Sequence, residues 1–403
     1  MTPLQYAASL DGPVAATVCE AAARVPAFAR RLDDAGMRPE HVGGVSDLDA
    51  IPVLSKDQLL SQQQSAPPFG GLMADDIHVR RVFQSPGPLY EAEPDEPDPW
   101  RWAPALSAAG FRAGDRVLDA FGYHLSPAGA MFEQAAVALG CTVVPGGIGN
   151  KDLQVRAIID LKISGYIGLP SYLKALLEAG EEQGVDPAAW PLQRAFVSAE
   201  PLPPSLRAWL TSRVPTVRQG YGTAEAGNLG YECEQQEGLH VPDDALVQVC
   251  DVDTGHALGD GATGQVVVTL LRAALPVVRF GTGDLSALVT DSCSCGRPTP
   301  RLAGILGRLG DAVKVRGMFL HPRQIDDAMR GLHDVVAYRF VVDRRDHVDV
   351  LRCEVVAADG ADADAVRATV RERVRSALRF DAEVTLVDAL TAAGVIIDKR
   401  HWD

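Results

Sequence analysis

The middle of the chain repeats one pattern, in which a short apolar segment bounded by glycine or proline is followed by a segment with helical character. Three of the apolar segments are Arg116–Phe121, Thr142–Pro145 and Tyr166–Pro170. Strands that alternate with helices in this way form parallel sheets whose faces are covered by helices. Because the pattern continues from Trp102 to Arg308, it predicts an α/β fold for most of the chain.

Length and composition restrict the class of protein. The chain has 403 residues, of which 47% are hydrophobic, and this length favours two or more domains. A net charge of −15 argues against a nucleic-acid-binding surface. The sequence lacks both a run of about 18 apolar residues and a signal-peptide pattern, so we expect no membrane partner. Seven cysteines indicate a reducing compartment, with thiols or metal ligands, and predict a cytoplasmic protein.

The stretch from Gln219 to His240 carries several groups with chemical potential. Its Gly-Tyr-Gly opening suits a tight turn leaving a strand, because glycine accepts unusual backbone angles. The ring of Tyr221 could stack on a flat ligand, and the carboxylate of Glu225 could hold Mg²⁺. Cys233 and His240 resemble half of a metal site. The alternative interpretation is a surface turn with incidental charge.

The same stretch resembles the Y-G-x-[ST]-E motif of adenylate-forming enzymes, in the phenylacetate–CoA ligase branch. That branch also carries the E-C and G-L-H elements seen at Glu232-Cys233 and Gly238-Leu239-His240. The resemblance covers nearly the whole chain. It implies an α/β fold with a large N-terminal domain of helix-covered sheets, residues 1–309, and a small, mobile α+β C-terminal domain, residues 310–403. The hinge-like run is 305–317.

The resemblance also implies the binding residues. Loops at the carboxyl ends of parallel strands usually build the site, and three such loops match family segments that line the acyl and nucleotide pockets. Asp284 would accept the ribose hydroxyls, and Arg308 would reach the ribose or the acyl-nucleotide. Glu225 and Arg308 are candidate catalytic residues. The expected pocket residues are Phe121, Tyr123, Gly146, Gly147, Gly149, Ser198, Ala199, Glu200, Tyr221 and Gly222.

One residue of these loops departs from the family in a way that could matter chemically. His124 stands where the family usually has glycine, and a pocket histidine could act as a general base. Backbone N–H groups in the turn 146–149 are candidate donors to an oxyanion. The alternative is that His124 only fills space or contacts solvent.

Three cysteines and one histidine form a candidate metal site. Cys293 and Cys295 join Cys233 and His240, and structural zinc prefers four such ligands. The spacing differs from common zinc fingers, but the family carries the same four positions. We therefore expect one structural zinc ion that clamps the two segments, the alternative being four free side chains in unrelated loops.

Several positions that handle ATP in the family are altered. The phosphate-binding loop contains Pro86 and Pro88, which lack N–H donors, and five carboxylates follow between Glu91 and Asp98. Ala224 replaces the motif hydroxyl, Gly310 replaces the pivot aspartate, and Gly394 is followed by valine instead of the family's lysine. Like charges near a triphosphate are repulsive, so these changes predict weak adenylation.

Three functions remain open. The first is a repurposed enzyme that acts without ATP on an aryl or polyketide-like acyl thioester, by hydrolysis, transfer or cyclisation. The second is an ATP-dependent aromatic acid–CoA ligase, which alone would use Mg²⁺ and ATP as cofactors. The third is a binding protein without catalysis. The expected partner is a small acyl or aryl molecule, as a thioester of CoA or a carrier protein, and the protein could form a homodimer.

Overall fold

The computed structural model describes residues 3–85, 89–271, 277–309, 313–316, 318–320, 322–378, 380–390 and 395–400. The chain divides into two compact units, one made of residues 1–202 and 206–307 and the other of 203–205 and 308–403. Each unit is described below by itself. The mobility of the predicted cap and its boundary at residue 310 stay predictions.

Helices of the first unit gather at its N-terminus and around its sheet. The fourth one begins directly after Ser55, whose side chain accepts from the Gln58 N–H while the Gln58 side chain accepts from the Ser55 N–H. This reciprocal capping box satisfies two N–H groups that a helix start otherwise leaves without partners. The helices are α1 Pro3–Ser9, α2 Asp11–Arg24, α3 Pro26–Asp34, α4 Lys56–Ser65, α5 Ala103–Ala108, α6 Ala128–Ala138, α7 Lys151–Asp160, α8 Pro170–Glu182 and α9 Pro204–Thr211, of which the first two residues of α9 are assigned to the second unit.

Two sheets complete the first unit. The strands are β1 Val79–Ser85, β2 Leu89–Pro94, β3 Arg116–Asp119, β4 Thr142–Pro145, β5 Gly165–Gly168, β6 Arg194–Val197, β7 Thr216–Thr223, β8 Gly227–Tyr231, β9 Leu239–His240, β10 Ala245–Cys250, β11 Thr263–Leu270, β12 Phe280–Val289 and β13 Arg301–Leu302, with β14 Gly307–Arg308 at the boundary between the units. Strands β1 and β2 pair as an antiparallel hairpin. The large sheet has the order β10-β11-β12-β13-β9-β8-β7-β6-β5-β3-β4.

The large sheet is parallel at one end and antiparallel at the other. Strands β4, β3, β5, β6 and β7 run parallel, and every pairing from β7 to β10 along the sheet is antiparallel. Neighbouring residues of β3 point into different cores, with Val117 packed among one hydrophobic cluster and Leu118 among another, both fully buried. A strand buried on both faces is typical of a helix-covered parallel sheet. The predicted α/β fold class is confirmed.

The second unit is a small α+β body. It contains β15 Val313–Val315, β16 Met318–Leu320, α10 Pro322–Met329, β17 Val335–Arg345, β18 Val348–Ala357, α11 Ala363–Arg373, β19 Glu383–Leu386 and β20 Ile396–Asp398. Four strands form a sheet in the order β19-β18-β17-β20. Across the described part of the chain, every helix is too short or too polar to span a bilayer.

Candidate active site

Tyr221 lies inside strand β7, and the turn comes after it, at residues 224–226. A Cβ atom on Gly222 would lie 2.2 Å from the carbonyl oxygen of Gly227 and 2.6 Å from the Trp102 ring. Glycine is needed there because another backbone segment and an indole occupy the side-chain position. The expectation that Gly-Tyr-Gly forms the turn itself is therefore wrong.

The Tyr221 hydroxyl links the motif tyrosine to Asp284, the predicted ribose contact. It donates to Asp284 Oδ2 at 2.8 Å and lies 3.1 Å from Thr282 Oγ1. Asp284 is buried in β12, directly after Gly283, whose φ of 77° is in the left-handed region. An ionised carboxylate offers about four acceptor sites, so the tyrosine bond orients Asp284 and is compatible with acceptance from a diol.

Glu225 is surrounded by charged groups that the sequence did not single out. Its Oε1 atom lies 3.0 Å from the Lys56 ammonium, at the first residue of α4, and its side chain is 8% exposed. Glu91 of β2 is also buried, and it accepts from the Ser85 hydroxyl at 3.2 Å. Burial raises the pKa of Glu91 to about 8, and the Glu225 carboxylate adds to that rise. Burial alone would raise the pKa of Glu225 too, but Lys56 makes the net shift downward.

The acidic run after β1 is largely neutralised. Glu93 is fully buried and receives two hydrogen bonds from the Arg81 guanidinium, at 2.5 and 2.9 Å, while Asp95 pairs with Arg80. Asp98 accepts from the Trp102 and Ala103 N–H groups at the start of α5. Because three of the five carboxylates are paired or cap a helix, they project little field. The repulsion of a triphosphate by the acidic run stays a prediction.

The glycine turn after β4 does not offer the donors that we expected. The Gly146 and Gly147 N–H groups both donate to the Asp119 carbonyl oxygen, at 2.9 and 3.1 Å. The Gly149 N–H donates to the Tyr172 hydroxyl at 3.0 Å. These three glycine amides are already used to hold the turn, so they are poor candidates for oxyanion donors, and a donor role for the turn stays a prediction.

The loop after β3 sends its side chains in different directions. Phe121 is buried and stacks on Phe132 with ring centroids 4.8 Å apart, so its ring belongs to the core and not to a pocket wall. Tyr123 donates its hydroxyl proton to Asp119 Oδ2 at 3.0 Å. His124 is exposed, and its role as a base stays a proposal.

The loop after β6 is linked to the motif strand. The Ser198 hydroxyl donates to the Gly220 carbonyl oxygen at 2.8 Å, next to Tyr221. Ala199 has a φ of 72°, and Glu200 Oε2 accepts from the Ser171 N–H at 3.4 Å, at the start of α8. The structure therefore ties Ser198 to the backbone next to Tyr221, and Tyr221 in turn bonds Asp284.

Some predicted features fall elsewhere. Pro86, Pro88, Gly310 and Gly394 lie outside the described residues. Ala224 accepts at its carbonyl oxygen from the Trp100 indole N–H at 3.1 Å. Arg308 begins the second unit, so it belongs to a different compact body from the other predicted site residues.

Cys233, His240, Cys293 and Cys295 come together as one cluster. Their four ligand atoms all lie within 4.8 Å of one another. Cys233 Sγ and Cys293 Sγ are 3.8 Å apart, and Cys295 Sγ is 3.3 Å from His240 Nε2. Two thiolates on one tetrahedral zinc ion, each about 2.3 Å from it, stand roughly 3.8 Å apart.

The second ring nitrogen of His240 supports the same interpretation. His240 Nδ1 lies 3.3 Å from the Thr299 carbonyl oxygen and 3.1 Å from the Thr299 Oγ1 atom. Because a carbonyl oxygen can only accept, the first contact favours a proton on Nδ1 and leaves the lone pair of Nε2 facing the Cys295 sulfur. Burial lowers the pKa of His240 to about 4, so the ring is neutral. The donor set fits zinc, and the ion itself stays a proposal.

Sequence reasoning missed Lys56, and it placed Glu91 in the acidic run without predicting that Glu91 is buried beside Glu225. The available signal for Lys56 was its position directly after the capping serine, which fixes where its helix starts. For Glu91 there was no local signal, because its burial depends on helix α4: Gln63 of that helix bonds both the N–H and the carbonyl oxygen of Tyr90.

Comparison with known proteins agrees with this geometry. The AMP-binding enzyme family matches residues 101–270. Phenylacetate-coenzyme A ligase of Thermus thermophilus is 32% identical over 92% of this chain and 89% of its own, and that of Aromatoleum evansii is 31% identical over 82% and 77%. The structure of 2-hydroxyisobutyryl-CoA ligase in complex with 2-HIB-AMP and CoA, which is 25% identical, matches with a TM-score of 0.91 over 99% of this chain and 91% of that one.

These matches extend well beyond the motif that carried the resemblance, and they include both compact units. The chain belongs to the phenylacetate–CoA ligase family of adenylate-forming enzymes.

Proposed function

We propose that the protein is an ATP-dependent acid–CoA ligase for a small aryl or acyl carboxylic acid. The relatives named phenylacetate-coenzyme A ligase and the similarity to 2-hydroxyisobutyryl-CoA ligase support this reaction class. The observation that carries the proposal is the buried Tyr221–Asp284 contact, which presents a carboxylate suited to a ribose diol.

The chemistry has two steps. A carboxylate oxygen of the acid attacks the α-phosphorus of ATP and pyrophosphate leaves, giving an acyl-adenylate. The CoA sulfur then attacks the acyl carbon, the thiol proton is lost, and AMP leaves. Asp284 would bind the ribose, and Arg308 remains the candidate for contact with the acyl-nucleotide.

Glu225 fits a role at Mg²⁺, the ion that accompanies ATP in such reactions. Its carboxylate is buried, and its Oε2 atom has no hydrogen-bond partner among the described residues. Hard cations prefer oxygen ligands of this kind. In the structure the Lys56 ammonium compensates the negative charge of Glu225. Bound Mg²⁺ would either take the place of Lys56 beside this carboxylate or bind to it together with Lys56.

We further propose one structural zinc ion at Cys233, His240, Cys293 and Cys295. The distances within the cluster and the neutral, oriented imidazole support it. The site would join the segment after β8 to the segment after β12, since it takes ligands from both.

The experiment for the main proposal is a product assay. The protein is incubated with Mg²⁺, ATP, CoA and one acid at a time from a panel that includes phenylacetate, benzoate and 2-hydroxyisobutyrate. The proposal expects AMP and acyl-CoA in equal amounts. Omitting the acid is the control for hydrolysis of ATP alone.

A second candidate function is ATP-independent chemistry on a preformed thioester. It is favoured by Ala224 in place of the motif hydroxyl. The matching assay supplies phenylacetyl-CoA without ATP and follows loss of the thioester. If His124 is the base, His124→Ala should lower that turnover by roughly 10²–10⁴.

A further inference from the structure

One buried side chain holds the backbone of the turn that follows β4. The turn contains Gly146, Gly147 and Gly149, and helix α7 begins shortly after it, at Lys151. Gln154, in the first turn of α7, is 5% exposed. Its Nε2 atom donates to the carbonyl oxygens of the three glycines, at 3.0, 3.1 and 2.8 Å in chain order. A single amide group therefore ties three carbonyl groups of the turn to α7.

The orientation of the Gln154 amide follows from these contacts. Carbonyl oxygens can only accept, so the atom that contacts all three must be the amide nitrogen. The amide oxygen, Oε1, is buried and has no hydrogen-bond partner among the described residues. A buried acceptor without a partner costs stability. The three donated bonds offset that cost, which indicates that this glutamine is used as a donor to the turn.

A second side chain holds the other end of the same turn. The Tyr172 hydroxyl of α8 accepts from the Gly149 N–H at 3.0 Å and donates to the Gly149 carbonyl oxygen at 2.9 Å. The Gly146 and Gly147 N–H groups donate to the Asp119 carbonyl oxygen. The N–H and carbonyl groups of all three glycines thus have partners, so a different conformation of the turn would break several hydrogen bonds at once.

The turn lies at the edge of the sheet where the active site is expected. Strands β3, β4, β5 and β6 run parallel, so their carboxyl ends meet at one edge. The turn follows β4, and the loops with Tyr123 and Ser198 follow β3 and β6 at that edge. The Ser171 N–H, next to Tyr172, contacts Glu200 of the loop after β6 at 3.4 Å. The start of α8 therefore contacts two of the three loops that are expected to line the acyl pocket.

We propose that Gln154 and Tyr172 are positioning residues, which hold this turn as a fixed wall of the acyl pocket and so restrict which acids bind. The inference rests on the proposed function, because the turn is an expected pocket wall in that reaction. Neither side chain would touch the reacting atoms. Both act through the backbone of the three glycines, Gln154 through their carbonyl groups and Tyr172 through Gly149.

A fixed wall favours an acid that fills the space in front of it. Removal of the Gln154 donor leaves buried carbonyl oxygens with fewer partners, so other conformations of the turn become accessible. If the closed turn falls to about one-tenth of the population, the dissociation constant of an acid that needs it rises about tenfold. An acid that leaves the pocket partly empty depends less on this wall, so its affinity should fall less.

The experiment compares the unmodified protein with Gln154→Met and Tyr172→Phe, which nearly preserve side-chain shape and remove the donor. Saturation-transfer NMR measures the binding of phenylacetate, benzoate and 2-hydroxyisobutyrate without ATP or CoA. We expect the best-bound acid to weaken about tenfold in Gln154→Met. The loss should be smaller in Tyr172→Phe, because the Gly149 carbonyl oxygen keeps its bond from Gln154.

Kinetics separate positioning from a general loss of structure. In the ligase assay the KM for the best acid should rise by the same factor in Gln154→Met, while kcat and the KM for ATP change by less than about twofold. Gln248→Met is the matched control, since Gln248 is also a buried glutamine of the first unit but lies on β10, at the opposite end of the strand order from β4. It should leave the binding of every acid unchanged.

Hydrogen exchange over residues 146–150 tests the first step of the proposal directly, and thermal unfolding shows whether each variant is folded. Exchange in the turn should be faster in Gln154→Met than in the unmodified protein. Unchanged exchange would overturn the positioning role, and equal acid binding by the two proteins would overturn the role in substrate choice. Absence of acid binding by the unmodified protein would also contradict the proposal. Failure of the ligase reaction would appear separately, as absence of AMP while acid binding persists.

Discussion

Tyr221 and Asp284 show how a short motif positions a side chain far away in sequence. The tyrosine hydroxyl reaches across to β12 and holds the carboxylate at 2.8 Å. Both residues were identified from local motifs, because each sits beside glycines whose spacing is distinctive. The partnership between them could not be identified in this way, since it depends on the folding of the antiparallel half of the sheet.

The first prediction concerns Asp284. Asp284→Asn keeps the shape and removes the charge that would accept ribose hydroxyls, so ATP-dependent AMP formation should fall by about 10- to 100-fold, with a raised KM for ATP. Initial rates over a range of ATP concentrations measure this. Asp251→Asn, in an exposed turn, is the control. An unchanged KM for ATP would remove Asp284 from the nucleotide site.

The second prediction concerns the buried Glu91. Its pKa is raised from 4.5 to about 8, so the folded state binds more protons than the unfolded state between these values. The free energy of unfolding should therefore fall with rising pH over this window, by up to about 1.4 kcal/mol per pH unit. Urea unfolding from pH 5 to 8.5 should show a flatter profile for Glu91→Gln. Parallel profiles for the two proteins would argue against a proton on Glu91.

At the scale of elements, the hairpin β1–β2 and the segment around β7 differ most from what the sequence indicated. The acidic residues after β1 looked like a charged loop, but pairing of the strands sets Arg81 opposite Glu93. The Gly-Tyr-Gly segment looked like a turn, but its glycines make room for Trp102 and for the Gly227 backbone. In both cases cross-strand and tertiary neighbours decide the outcome, and a local pattern does not contain them. The alternating strands and helices of the parallel half were predictable, because period and length are local.

The third prediction tests the proposed zinc ion as a link between elements. Cys293→Ala should lose about one equivalent of zinc and lower the melting temperature by several degrees, because one tetrahedral ligand is missing. Elemental analysis and thermal unfolding measure the two effects. Cys250→Ala is a matched control, since it truncates a buried thiol of the same unit outside the cluster. Equal zinc content in both variants would contradict the site.

At the scale of the whole molecule, the chain is two compact units whose boundary lies near residue 308. The α+β content of the second unit was predictable, because its strands β17 and β18 are long and rich in valine, a residue that favours strands. The fourth prediction concerns the mobility of this second unit. Limited proteolysis should cut first between residues 305 and 317, where the hinge-like run lies. Early cuts confined to residues 100–300 would argue against a hinge.

The most direct test of the proposed reaction is the measurement of AMP and acyl-CoA from the panel of acids, with and without ATP. For at least one acid we expect AMP and acyl-CoA to form together, to require Mg²⁺, and to fall strongly in Asp284→Asn. Absence of AMP with every acid, together with loss of phenylacetyl-CoA in the absence of ATP, would contradict the ligase assignment and support the ATP-independent alternative.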